Sequence, residues 1–200
     1  MAFALPDGLA PEVYPLAWLV GDWRGEGVVG YPGIEEKTFV QDVSFDHDGG
    51  PYLRYTSTIR LIVIPDDPAE LLDDPLLEAP VATVSEPTDR DAGPVWSTET
   101  GFWRIAPVRP PEVPEDQYPV ELLLADPAGH LALYLGAVGN GRIELSSDLI
   151  ASTSTAAADV TAATRLYGLV KGELMWAEDL AAFGHPLQTY ASARLNRVGA

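Results

Sequence analysis

The stretch Gly21-Asp22-Trp23-Arg24-Gly25-Glu26-Gly27, preceded by the apolar run Leu16-Ala17-Trp18-Leu19-Val20, decides how the rest of the chain is read. Successive side chains of a strand point to opposite faces. Gly21, Trp23, Gly25 and Gly27 then share one face, and Asp22, Arg24 and Glu26 share the other. The first face is nearly bare backbone with a single inward Trp, and such glycines let a strand bend sharply at a barrel corner. The second face is charged and reads as solvent. The bland alternative is a Gly-rich loop that carries a Trp, because glycine weakens strands.

Outward from that stretch the chain is a series of short strands. Residues 1–20 hold Pro6, Pro11 and Pro15 and predict a short helical lid before the first strand. Strands follow over 36–45, with Phe39, Gln41, Val43 and Phe45 on one face, and over 52–64. Asp46-His47-Asp48-Gly49-Gly50 reads as the turn between them. Further strands are read over 95–106, 120–125, 131–138, 142–150, 161–170, 173–180 and 189–198. Asp126-Pro127-Ala128-Gly129, Gly139-Asn140-Gly141 and Lys171-Gly172 supply the turns. Two Pro-rich breaks, 65–94 and 107–119, read as loop insertions, the first with the composition of disorder and a helical turn at Ala69–Leu72. Thr153–Ala163 is the other helical candidate. The pattern is all-β, an antiparallel sandwich or barrel, best matched by an up-and-down barrel over one domain, 1–200.

Composition narrows the function. Thirty acidic against 12 basic residues give a formal charge of -18, which argues against nucleic acid or an anionic membrane surface as partner. No apolar run is long enough to span a membrane, and the N-terminus lacks the basic region of a signal peptide. With no cysteine there is no disulfide, thiolate metal site or Cys nucleophile, and a cytoplasmic location is expected.

Few residues announce chemistry. Of three histidines, His47 lies in an acidic turn, His185 precedes Pro186, and His130 opens a strand facing a barrel mouth or water. No pair has metal-ligand spacing, so no metal site is expected. Neither a GxSxG elbow nor a phosphate loop appears. Trp23, Tyr55, Trp96, Trp103, Tyr134, Trp176 and Tyr190 are candidates to point inward, and a packed core and a ligand cavity are evenly matched. His130, Tyr134 and Trp103 are the cavity candidates.

The Gly-x-Trp-x-Gly-x-Gly motif at Gly21, Trp23, Gly25 and Gly27 resembles the signature of the nitrobindins. So do Glu99-Thr100-Gly101-Phe102-Trp103-Arg104, Val120–Gly129, Tyr134-Leu135-Gly136, Pro186-Leu187-Gln188 and Ala193-Arg194-Leu195. The resemblance implies a ten-stranded antiparallel β-barrel of the lipocalin or fatty-acid-binding-protein kind. Such a barrel holds ferric haem b by one histidine in its open end, and binds nitric oxide or isomerises peroxynitrite to nitrate.

That histidine follows a Pro-Leu-x-x segment in the last strand. Here Pro186-Leu187-Gln188-Thr189 leads to Tyr190. A phenol must lose a proton of reference pKa about 10 before it ligates iron, and it needs a nearby cation or donor to do so. Arg194, four residues on in the strand, is the nearest candidate. The expectation is therefore a nitrobindin-like barrel that has lost histidine-mediated haem binding, with no cofactor. It would bind a small apolar ligand, be no enzyme, and form a homodimer if it assembles. The alternative is a haem b protein acting on nitric oxide or peroxynitrite.

Overall fold

The computed structural model describes residues 5–62 and 92–199. A 3-10 helix, Pro11–Leu19, leads into ten strands: β1 Gly21–Tyr31, β2 Ile34–Asp46, β3 Leu53–Ile62, β4 Ala92–Ile105, β5 Tyr118–Ala125, β6 His130–Gly139, β7 Arg142–Ser152, β8 Val160–Val170, β9 Glu173–Ala182 and β10 Gln188–Arg197. Every neighbouring pair is antiparallel, and β1 pairs with both β2 and β10, so the sheet closes into a barrel. The expected all-β up-and-down barrel with an N-terminal helical lid is the observed fold.

Closure explains the opening motif. Trp23 points inward and is buried. At Gly25 a Cβ would run into the carbonyl oxygen of Arg194 and the backbone of Leu195. At Gly27 it would meet the Ser192 carbonyl, the Phe39 ring and Ala193. β10 crosses β1 too closely for any side chain there, which is why the inner face is bare.

The helix shuts one end. Val13, Leu16 and Leu19 pack with Trp23, Leu53, Trp103, Leu122, Ile143, Leu174 and Leu195, all almost wholly buried. Each such side chain contributes roughly 1.5–3 kcal/mol by leaving water. Nine residues is long for a 3-10 helix, and its last carbonyls need partners. The Trp23 indole N–H donates to Leu19 O at 2.7 Å. Arg197 donates to Val20 O and to Trp18 O, and its guanidinium lies 4.2 Å from the Trp23 ring centroid. The first and last strands therefore hold the plug between them.

Other expectations need adjustment. The helical candidate at Thr153–Ala163 is a set of turns followed by β8, as the Thr161-Ala162-Ala163-Thr164 run pairs with β9. Residues 107–117 are turns as expected, with β5 starting at Tyr118. Most of the insertion at 65–94, with its helical turn at Ala69–Leu72, lies outside the described residues. Among the described residues no helix is long and apolar enough to cross a membrane.

Candidate functional site

A cavity of about 590 Å³ runs from the end of the barrel opposite the helix down toward the plug. Its rim is formed by β1 and β9 at their C-terminal ends and by β4, β6, β8 and β10 at their N-terminal ends. Tyr31, Trp96, His130 and Tyr190 project there.

Two rim residues owe their direction to irregularities in the ladder. In β10, Thr189 pairs with Asp179 and Ala191 with Glu178, so Tyr190 is an extra residue. In β4, Ser97 pairs with Ile59 and Val95 with Arg60, so Trp96 is extra as well. Bulges re-aim side chains, and here they bring two aromatics together. The Trp96 indole N–H donates to the Tyr190 hydroxyl oxygen at 2.8 Å. Tyr31 meets Tyr190 edge-on, its ring centroid 6.2 Å away, and is itself fixed by hydrogen bonds to Leu180 O and from Ala182 N. Burial pushes the Tyr190 phenol above its ordinary pKa, and the Trp96 hydrogen bond opposes that push. Arg194 gives no help. Beyond the bulge it faces outward, is mostly exposed, and lies 3.6 Å from Glu173.

His130 lies on the rim with both ring nitrogens engaged. Nδ1 meets Asp126 Oδ2 and Nε2 meets Ala158 O, each at 2.9 Å. Both partners are acceptors, so the arrangement calls for the doubly protonated ring. Partial burial pulls its pKa down, but the bonds to Ala158 and Asp126 outweigh that and the net shift is upward. His185 is exposed and packs edge-on against Tyr31, and His47 lies in the β2–β3 turn. Among the described residues no group of His, Asp and Glu is arranged to hold a metal ion.

The deep end of the cavity is polar, which the sequence reading missed. Arg165 on β8 pairs across the ladder with Glu178 on β9 and reaches across the lumen to Glu99 on β4. Its Nε donates to Glu178 Oε1 at 2.9 Å, Nη1 to Glu99 Oε2 at 2.8 Å, and Nη2 to Glu99 Oε1. The guanidinium also lies 5.2 Å from the Tyr134 ring centroid. Tyr55 donates its hydroxyl hydrogen to Glu99 at 3.3 Å, while Trp176 and Ser57 engage Gln41 nearby. Burial raises the Glu178 carboxyl to about 7 despite the adjacent guanidinium, with the Glu99 charge adding to the rise. Glu99 goes the other way, because two Arg165 nitrogens and Tyr55 overcome its desolvation. The signal was present: Arg165, Glu99 and Glu178 share the inward parity of Tyr167, Trp103 and Trp176.

Of the residues singled out from the sequence, Tyr190, His130 and Tyr134 line the cavity. Trp103 does not; it is fully buried in the plug, against Tyr167, Phe45 and Tyr55. Gly21, Trp23, Gly25 and Gly27 start β1 at the plugged end and touch no part of the cavity wall.

A haem-sized ligand has a coherent setting here. The wall is mostly aliphatic and aromatic, and among its tyrosines Tyr190 holds its phenol oxygen beside the Trp96 N–H, a donor that favours the oxyanion. Ferric iron takes oxygen ligands of this kind. His130 does not compete, since both of its ring nitrogens are already engaged, by Asp126 and by Ala158 O. The residues present thus fit the group through Tyr190.

The family model for the THAP4-like, heme-binding beta-barrel domain matches residues 12–197. A protein of Beutenbergia cavernae named ferric nitrobindin-like protein is 46% identical, over 99% of this chain and 100% of the relative. A peroxynitrite isomerase of Parafrankia sp. is 40% identical over 94% of this chain and 81% of its own. The crystal structure of Rv2717c from M. tuberculosis superposes with a TM-score of 0.69 at 30% identity, covering 94% of this chain and 98% of that one. These matches correct the expectation of no cofactor, because the family is one of haem-binding barrels. On the model match, the identities and the shared fold, the chain belongs to the nitrobindin family of THAP4-like heme-binding β-barrels.

Proposed function

We infer that the lumen takes one planar, largely apolar ligand, that this ligand is haem b, and that Tyr190 stands where the family presents its histidine. The observation that carries this reading is the Trp96–Tyr190 pair, a phenol oxygen on the cavity wall with an N–H donor held on it. Burial alone keeps the phenol protonated. Tyr190 would hold the group through its phenol oxygen, whose proton a ferric centre would help to release, and the Trp96 N–H would stabilise the resulting oxyanion. When bound, haem b supplies a ferric centre with a position open to small molecules. The chain's own residues position the phenol, through Tyr31 and Trp96, and keep water from the wall.

The test is a hemin titration followed by absorption. Wild type is expected to saturate at one equivalent with the spectrum of an oxygen-ligated ferric haem. Tyr190→Phe should lose that spectrum, and Tyr190→His should convert it to a histidine-ligated one. Wild-type protein that takes up no hemin, or a spectrum unchanged in Tyr190→Phe, overturns the reading.

A second reading follows from the relatives named peroxynitrite isomerase: the loaded barrel isomerises peroxynitrite. It depends on the same haem and falls with it.

A further inference from the structure

The polar floor of the cavity is not used by the reading above, and its charges do not balance. One guanidinium faces two carboxylates. Arg165 is spent on them, with Nε on Glu178, Nη1 on Glu99 and Nη2 touching both. Glu99 uses both oxygens, accepting from Arg165 and from Tyr55. Glu178 uses only Oε1. Among the described residues its Oε2 has no hydrogen-bond partner and is left open to the lumen, although the residue is only 6% exposed. An acceptor oxygen that opens only into the lumen, on a side chain otherwise buried, is placed for a guest's donor. The missing partner is a donor, preferably a cation.

We propose that the floor of the lumen is a subsite for the protonated amine of an amphipathic ligand, with Glu178 as the acceptor and with the Glu99 and Glu178 carboxylates, which already occupy Arg165, turning other carboxylates away. An ammonium beside Glu178 Oε2 brings the floor from one net negative charge to zero and completes the carboxylate's hydrogen bonding. A fatty-acid carboxylate finds the opposite setting. The only buried cation among the described residues, Arg165, is already saturated, and two like charges stand beside it. The ligand's chain has an apolar path out of the floor past Leu180, Ala191 and Tyr190 to the rim. This subsite does not rest on the haem reading, since haem b carries acids and no amine; the two guests share one lumen and would compete for it.

Binding is linked to protons. The groups facing Glu178 are Arg165 and Tyr167 from β8, Glu99 from β4, Tyr134 from β6 and Tyr190 from β10, with Asp179 its neighbour in β9. The tyrosines stay neutral near neutrality, because burial raises each of them. Glu178 is thus the group that changes charge near neutral pH, and an incoming ammonium favours its ionised form.

The probes are n-octylamine, octanoate and 1-octanol, titrated into the full chain by calorimetry. At pH 8 the amine should bind at least about tenfold more tightly than either of the others. At pH 6 that margin should shrink, and runs in buffers of different ionisation heat should register a proton released. Glu178→Gln should erase the preference while leaving the octanol affinity in place. Tyr190→Phe should keep the preference even if it loses hemin, which separates this proposal from the preceding one. Octanoate or octanol binding as tightly as the amine at pH 8 overturns the proposal. So does a preference that persists in Glu178→Gln. The wild-type pH series decides the matter even if that variant fails to fold.

Discussion

The Trp96 indole nitrogen and the Tyr190 hydroxyl oxygen lie 2.8 Å apart, and each residue is the supernumerary member of its strand. Regular alternation would send both side chains to the outer wall. Two separate irregularities, on opposite sides of the lumen, turn them into one hydrogen-bonded pair. The donor is placed on the oxygen that would carry charge as a phenolate, so replacing it should be felt through that charge. Trp96→Phe is expected to weaken hemin binding about tenfold, the worth of one hydrogen bond to a charged acceptor. Hemin titration checks this, and unchanged affinity in a folded variant would separate the pair from the ligand.

Glu178 makes stability depend on pH in a defined sense. Its carboxyl titrates near 7 in the folded chain against an ordinary 4.5. A raised acid favours folding while it is protonated. That contribution is complete below about pH 4.5 and is lost as pH climbs through about 7. Glu178→Gln keeps the neutral shape at every pH. It should match wild type near pH 4.5 and exceed it by pH 8, by about 3 kcal/mol, or several degrees in melting temperature. Parallel melting curves from pH 4.5 to 8 read the difference directly.

His130 gives a second titration. Asp126 and Ala158 hold its proton against the effect of partial burial, so its folded pKa lies above the usual 6.5. Its stabilising effect is present below pH 6.5 and fades as pH passes the folded value. In Asp126→Asn the imidazole should titrate at lower pH, as seen in the ring-proton NMR shifts. The variant should also lose stability mainly on the acid side. An unmoved titration would show that Asp126 does not hold that proton.

At the plugged end the prediction is steric. Gly27→Ala places a methyl against the Ser192 carbonyl and the Phe39 ring at once. It should cost about 3 kcal/mol, at the upper end of overpacking in a well-filled core. Urea denaturation measures it. A loss under 1 kcal/mol would mean that β10 can retreat from β1.

Most of the wall was legible in the sequence, and the site only partly so. Strands such as 36–45 and 142–150 announce themselves because one face meets water and the other a core. The bulges do not. A single extra residue reverses parity without altering composition, which is why Tyr190 and Arg194 were read as sharing a face when one points in and the other out. The polar floor escaped for a different reason. Glu99, Arg165 and Glu178 sit at inward positions, but charge is normally read as solvent-facing, and only the closed barrel brings β4 opposite β8. Thr153–Ala163, the other helical candidate, is turns and bends over 153–159, and only its end from Val160 pairs with β9.

Arg165 also bears on how the barrel moves. Its guanidinium ties β8 to β4, walls that face each other across the lumen, through two charge-assisted hydrogen bonds to Glu99. Breathing at that level must break several charge-assisted hydrogen bonds together, whereas the rim above is held by aromatic edges and single hydrogen bonds. Amide protons of β4 and β8 near Glu99 and Arg165 should accordingly exchange far more slowly than those beside Trp96 and Val160. That exchange pattern would mark a cup braced at its bottom and looser at its lip, where a guest would enter.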